Sequence, residues 1–464
     1  MPTIFVTSFH PLISRNIIAT EFLSHLTAMG NEVVVLVPDY KRSFFEETYR
    51  RPGVRFEGVA TGPGARSGWV KIAKRIAEAL PDTRRAAIGR RRTLAGKRKS
   101  ALVYWFFYAP LGLVGKSRRA VRWFRWLDFR LAPAGRFYPL LDRYRPALVF
   151  STDIQNEHDV ALMQDARRRG YPILGMVRSW DNLTTRALRF APPHIIVHNE
   201  IIKAEAARYH GIAPDAVSVV GIPHYDRYLR GPTMGRSEFF GNIGVGLNTK
   251  LVLYFPICDY RLERNIVDPY VIGLLDKTEG ITTLVRFPPA ASVDLGDFVK
   301  PPRVVYDRPG HEFQSGRVDD RELAPEDDER LVNALAWCDV AVCGPSTAII
   351  DAALFQKPVL LIDFYPRDLP EEGRIYEYGA EHIANILATG GARRVRSEPE
   401  LVAALRQCRE HPETDAAGRE RIVREQCWRT DAKSCERLAR IVAERAAFVR
   451  ESAGERKTPD APEG

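Results

Sequence analysis

The sequence predicts an α/β protein built from two doubly wound, Rossmann-like parallel sheets. Three observations carry that prediction. Short apolar runs alternate with amphipathic stretches, this alternation occurs twice, and a polar, Gly-rich stretch separates the two series. At 464 residues the chain is long enough for two domains that each bury a core.

The first series opens with TIFVTSFHPLISRNIIATEFLSHLTAMGNEVVVLVPDY. It reads as a strand (Ile4–Thr7), a helix near Arg15–Met29, a stop at Gly30-Asn31 and a strand (Glu32–Val37), which is a right-handed βαβ unit. The pattern resumes at ALVFST, a helix closed by Gly170, PILGMV, HIIVHN, a helix closed by Gly211, and AVSVVG. These features place the first domain at residues 1–230 and a linker at 231–250. The second series runs through LVLYFP, TTLVRFP, RVVYD, DVAVCG and PVLLIDF with helices between them, giving a domain over 251–430. Helical patterns at Glu398–Glu410 and Asp415–Arg450 follow, with 431–450 as a C-terminal helix and 451–464 as a disordered tail. In a paired fold of this kind the carboxyl ends of both strand sets would face one cleft, so chemistry is expected just after strands.

Composition narrows the class. The start MPTIFVTSF lacks a secretion signal, and the longest apolar run, Ala101–Val114, is shorter than the ~20 residues of a membrane span. A cytoplasmic protein, soluble or peripheral, is expected. The six cysteines form no C-x-x-C pair, which argues against a zinc or disulfide framework. The net charge of +10 is local: residues 66–145 hold 21 Lys or Arg against 4 Asp or Glu, leaving −7 for the remainder. This basic segment mixes cationic clusters with Trp, Phe and Tyr. It is read as a helical insertion that contacts an anionic membrane surface peripherally, against the alternative of aromatics packed on the first sheet. No nucleic-acid motif accompanies it, so no nucleic-acid partner is expected.

The sharpest chemical signal is DVAVCGPSTAIIDAALFQKPVLLID, Asp339–Asp363. A strand ends at Gly344, Pro345 has no N–H to orphan, and Ser346 and Thr347 open a helix as caps or donors, the arrangement of an anion site. Asp351 follows five residues after Ser346. In the first domain the residues after strands are SFHPLISRN, STDIQNEHD and MVRSWDNLTTRAL.

Small residues at a helix start, an acid five residues on and a KPVL strand resemble the nucleotide-sugar site of GT-B glycosyltransferases and of non-hydrolysing UDP-N-acetylglucosamine 2-epimerases. SWDNLT and GIPHYD are similar to segments of the bacterial surface-polysaccharide branch, which includes the CDP-glycerol glycerophosphotransferases. The resemblance implies that Gly344, Pro345, Ser346 and Thr347 hold donor phosphates, with Asp351 on the ribose hydroxyls and Arg261 and Arg286 on the diphosphate. Three departures accompany it. Phe287-Pro288 stands where relatives carry His in an Arg-x-His-Pro run, Tyr260 replaces the His of the epimerase loop, and the epimerase acids have no match. No D-x-D motif follows a strand, so a transfer that needs neither metal nor other cofactor is expected.

Transfer to a hydroxyl needs a base. His10, Asp153 and Asp181 are the candidates, and Arg178, Ser179, Trp180, Asn182 and Arg186 are the expected acceptor-binding residues, with Trp180 as a packed lid. The reading is a transferase of surface-polysaccharide synthesis at the inner face of the cell membrane. It would carry a sugar from a nucleotide sugar to a polysaccharide or lipid-linked acceptor. CDP-glycerol glycerophosphotransfer and a non-catalytic nucleotide-sugar-binding scaffold remain open beside it.

Overall fold

A computed structural model describes residues 1–61, 68–95, 101–259, 265–313, 320–369 and 374–455. The chain divides into two compact units. The first comprises Met1–Asp82, Leu111–Asp226 and Asp431–Gly464; the second comprises Thr83–Pro110 and Arg227–Thr430.

The first unit holds seven strands: β1 (Thr3–Thr7), β2 (Glu32–Pro38), β3 (Val54–Val59), β4 (Leu148–Ser151), β5 (Ile173–Met176), β6 (His194–Val197) and β7 (Val217–Val219). Their order is β3-β2-β1-β4-β5-β6-β7, and every pairing is parallel. The central strands are mainly apolar because helices cover both faces, whereas the edge strand β3 carries Arg55 and Glu57. One covering helix comes from the far end of the chain. Ser434–Glu455 lays Cys435, Leu438, Ala439, Val442 and Ala446, one face of the helix, into the core beside Phe22, Leu23 and Leu26. The Asp226 carboxylate accepts the Ser434 and Cys435 N–H groups (3.0 and 2.7 Å) and so caps that helix. At Gly221, φ is +87° and a Cβ would sit 2.6 Å from Ser434 Oγ, so the GIP turn admits only glycine against this helix.

The second unit holds β8 (Lys250–Phe255), β9 (Ile281–Arg286), β10 (Val304–Asp307), a small antiparallel pair, β11 (His311–Glu312) and β12 (Arg321–Glu322), then β13 (Val340–Cys343), β14 (Val359–Ile362) and β15 (Arg393–Val395). The main sheet runs β10-β9-β8-β13-β14-β15, again all parallel. The predicted fold class, two doubly wound Rossmann-like sheets, is the observed one.

Four local expectations change. The stretch expected as a linker contains a helix, Arg236–Asn242, because Phe239 and Phe240 are buried and the Asn333 amide oxygen accepts the N–H groups of Thr233 and Met234 (3.1 Å each). The single helix expected over Asp415–Arg450 is broken into Ala416–Cys427 and Ser434–Glu455, with left-handed Trp428 and Ala432 between them. The latter helix continues to Glu455, into the expected tail. The basic segment is helical but not one body. Gly68–Ala79 and Arg118–Leu131 bury Ala73, Ala77 and Phe124 in a cluster of the first unit. Arg84–Ala95 belongs to the second unit, where the Glu381 carboxylate accepts the Arg84 and Arg85 N–H groups (2.5 and 3.1 Å). Among the described residues no helix is long and apolar enough to cross a membrane. All six cysteines are buried thiols, none of them in a disulfide.

Candidate functional site

In the first sheet the strand order reverses between β1 and β4, the point where open α/β sheets bind ligands beyond the strand ends. Thr7-Ser8-Phe9-His10 leaves β1 there, and Ser151-Thr152-Asp153 leaves β4. The two ends are laced together. Thr152 N donates to Thr7 Oγ1 (2.9 Å) and Thr152 Oγ1 to the Thr7 carbonyl (2.8 Å). Asp159 Oδ1 accepts from Thr7 Oγ1 (2.5 Å) and Ser151 Oγ (2.8 Å). Burial, and then the neighbouring Asp153, push the Asp159 carboxyl up to about 8, despite the hydrogen bonds that oppose the shift.

Above this floor lie the predicted reactive groups. Arg178, just after β5, places Nε 2.8 Å from Asp153 Oδ2 and Nη1 2.9 Å from His10 Nε2. Leu12 N donates to His10 Nδ1 (3.1 Å), which makes His10 the cap of the turn that follows β1. A neutral imidazole has one lone-pair nitrogen, so it accepts from Leu12 or from Arg178 but not from both. Burial, followed by the charges of Arg178, Lys41 and Arg186, holds His10 well below the usual histidine range and therefore neutral. Lys41 is itself buried, and the Arg186 Nε and Ser8 Oγ atoms are buried with no hydrogen-bond partner among the described residues. The structure thus brings His10, Asp153, Arg178 and Arg186 together at one strand end, with more cationic than anionic groups.

The SWDNLT loop divides into anchors and open groups. Asn182 is buried and its amide is engaged at both ends: Oδ1 accepts Ser179 N (2.7 Å) and Nδ2 donates to Gln155 Oε1 (3.2 Å). Gln155 Nε2 in turn donates to the carbonyls of Asn182 (2.8 Å) and Arg186 (3.0 Å). Asn182, expected to bind acceptor, is therefore the pin that holds the loop. Trp180 packs, as expected, with its ring 5.2 Å from that of His198. Ser179 and Asp181 stay half-buried, and the Asp181 carbonyl caps the short helix Asn182–Thr185 by accepting the Thr184 and Thr185 N–H groups (3.2 and 3.0 Å).

In the second sheet the order reverses between β8 and β13, so the Gly344–Thr347 turn stands at the corresponding point of that unit. The helix opens at Ala348, whose N–H is taken by Ser346 Oγ (3.1 Å), while the Ile349 and Ile350 N–H groups return to the Ser346 and Thr347 carbonyls (3.3 and 2.9 Å). Most of the expected free N–H groups of the helix start are thus satisfied locally. The half-buried Ser346 and Thr347 are what the turn offers a phosphate, with Gly344 and Pro345 buried behind them. Asp351 is only 8% exposed. Its charge adds to burial in raising the Cys427 thiol, which places it toward the helix Ala416–Cys427. Arg286, expected on the diphosphate, is instead a buried strut: its guanidinium pairs with Asp307 and donates to the Asp327 carbonyl (2.8 Å). Phe287, at the place of the family histidine, is buried with its ring 5.1 Å from that of Tyr306 and Arg308 stacked over it. An apolar core position explains that departure. Arg261 falls outside the described residues. Asn265, kept from the epimerase-like loop, is bound to Asp259 and Asp268 (3.0 and 2.7 Å).

Sequence reasoning did not find Asp159, Lys41 or the Thr7–Thr152 pair. The available signal was a hydroxyl run ending each of two apolar strands, VTS and FST.

Comparisons with known proteins bear on the fold and the family. No curated protein matches the sequence. Solved structures share the fold at low identity. A UDP-N-acetylglucosamine 2-epimerase from Neisseria meningitidis, bound to UDP-GlcNAc, is 13% identical over 97% of this chain and all of its own, with a TM-score of 0.52. The S. aureus protein MnaA with UDP is 11% identical over 94% of this chain and 95% of its own, with a TM-score of 0.51. A glycosyltransferase from Rickettsia africae is 9% identical over 97% and 99%, with a TM-score of 0.49. The model of one family, CDP-glycerol:poly(glycerophosphate) glycerophosphotransferase, matches residues 151–444, more than half of the chain and a range that contains SWDNLT, GIPHYD and the GPST turn. The chain belongs to the CDP-glycerol:poly(glycerophosphate) glycerophosphotransferase family.

Proposed function

We propose that this protein transfers glycerol phosphate from CDP-glycerol to a hydroxyl of a polysaccharide or lipid-linked acceptor at the inner face of the cell membrane. The observation that carries the reading is the pairing of the family match with polar residues at both strand-order reversals. The Ser346 and Thr347 hydroxyls hold the donor phosphates, and Asp351 accepts from the ribose hydroxyls. The acceptor oxygen forms a bond to the glycerol-bearing phosphorus, the bond from that phosphorus to the bridging oxygen breaks, and CMP leaves with the electron pair. Within the first unit, His10 takes the proton of the acceptor hydroxyl: the Nε2 lone pair of its neutral ring becomes open to it when Arg178 turns from that nitrogen to the substrate. The cations that lower the basicity of His10 suit an anionic acceptor, whose charge offsets theirs and restores that basicity. The reading includes turnover without a divalent cation.

Sugar transfer from a nucleotide sugar is the second reading, favoured by the resemblance of Gly344–Asp351 to nucleotide-sugar sites. The products separate the two: glycerophosphotransfer releases CMP, whereas sugar transfer releases a nucleoside diphosphate. Incubation of the full chain with CDP-glycerol or with UDP-, GDP- and dTDP-sugars, acceptor-bearing membranes and EDTA decides between them. Release of CMP that depends on acceptor and survives EDTA is expected. Nucleotide binding with no release from any donor would leave a binding or scaffold protein.

A further inference from the structure

The helix Arg118–Leu131 has two unlike faces. Inward, Val121 and Phe124 are buried and Asp128 is 0% exposed, paired with Arg189 (3.0 Å) and accepting Trp69 Nε1 (2.9 Å). Arg125 also turns inward, donating to the carbonyls of Leu188 (3.1 Å) and His210 (3.0 Å). Outward, Arg118, Arg119, Arg122, Trp123, Trp126 and Arg130 are all exposed, and at 100° per residue they fall within about 140° of the circumference. Asp128 is the helix's sole acid, so none lies on that face.

Trp123 and Trp126 are 61% and 53% exposed. Two indoles in water on a helix that already has a complete inner face are not explained by the fold. Their amphipathic rings suit the boundary between headgroups and acyl chains, and the four guanidiniums around them suit a layer of negative charge. The end of the preceding helix, Ala109–Val114, continues the character, with exposed Leu113 and Val114 followed by exposed Lys116.

We infer that the outer face of Arg118–Leu131 is a docking surface for an anionic lipid bilayer, with Trp123 and Trp126 entering the interface and Arg118, Arg119, Arg122 and Arg130 on the headgroups. The inference takes from the proposed function only the location at a membrane. It adds which face of which helix makes the contact, and that the contact requires anionic lipid. Single-stranded nucleic acid also suits cations with stacked rings. The bilayer is the better fit because the exposed Leu113 and Val114, shortly before the helix in sequence, offer nothing to a phosphate backbone.

The test is partition of the full chain onto phosphatidylcholine vesicles with and without phosphatidylglycerol, measured with no donor or acceptor present. The chain should bind the anionic vesicles only, shift its indole emission to the blue and release in high salt. The pair Arg119→Gln and Arg122→Gln should bind about 30-fold more weakly, roughly fivefold for each lost cation. The pair Trp123→Ala and Trp126→Ala should lose on the order of tenfold in binding together with most of the blue shift. All four residues are exposed, so unchanged melting temperatures establish that the variants fold. Three results would overturn the inference: equal binding to neutral vesicles, full binding by both variant pairs, or tighter binding to a single-stranded oligonucleotide than to anionic vesicles. Failure here leaves the transferase reading intact, and absence of transfer leaves the partition result intact.

Discussion

Replacing Asp159 with Asn tests the floor of the first-unit site. The carboxyl is buried, holds Thr7 and Ser151 through one oxygen, and is pushed from 3.8 up to about 8 by burial and then by Asp153. Because the folded state binds this proton more tightly than the unfolded chain does, stability is highest below about pH 4. It falls as pH rises toward 8, where ionisation in the fold becomes as easy as the buried site allows. A shift of about four units corresponds to on the order of 5 kcal/mol over the whole range, of which about 2–3 kcal/mol falls between pH 6 and pH 8. Asn mimics the protonated acid, since its oxygen still accepts from Thr7 and Ser151 and it cannot ionise. Its stability relative to wild type should therefore improve by about 2–3 kcal/mol from pH 6 to pH 8. In melting temperature that is a relative gain of roughly 5–10 °C for a unit of this size. The assay is thermal unfolding of both proteins at the two pH values, followed by circular dichroism. A constant difference between them would refute the reasoning, and an Asn variant less stable than wild type by the same amount at both pH values would show the carboxylate to be ionised and held by a partner.

Two further substitutions probe the placements above. Asp351→Ala should weaken binding of the donor nucleotide at least several-fold, read by calorimetric titration with CDP-glycerol or CMP, because a charged acceptor to the ribose is removed from a nearly buried place. Unchanged affinity would mean that the nucleotide lies elsewhere. Asn182→Ala should cost about 2–3 kcal/mol of stability, since it leaves Ser179 N and Gln155 Oε1 without their buried partner, and should open the loop to proteolysis. An unaltered melting temperature with a raised KM for acceptor would instead make Asn182 a binding residue.

The alternation of apolar strands and amphipathic helices was enough to read both sheets from the sequence, because parallel strands buried on both faces must be continuously apolar. It also located the GPST turn and the MVRSWDNLT segment, because strands end where apolar runs meet Gly, Ser and Asp. Short or half-exposed elements escaped. β3 is only partly buried on the sheet edge, with Arg55 and Glu57 inside it, β15 spans three residues, and the helix Arg236–Asn242 hides in polar, Gly-rich sequence around two phenylalanines.

What the sequence by itself determined is therefore the class of fold, the positions of its strand ends, and the local excess of cations in 66–145. All of these are properties of neighbouring residues. The tertiary structure decided which polar groups are engaged and which are open, because that depends on partners far along the chain. Arg286 and Arg178 look alike in sequence, each at or just after a strand end. One is neutralised by Asp307 on the adjacent strand, whereas the other reaches His10, 168 residues away, and shares its Asp153 with a cluster richer in cations than in anions. Likewise Phe124 and Trp123 are adjacent aromatics, yet helical geometry sends one into the core and leaves the other in water.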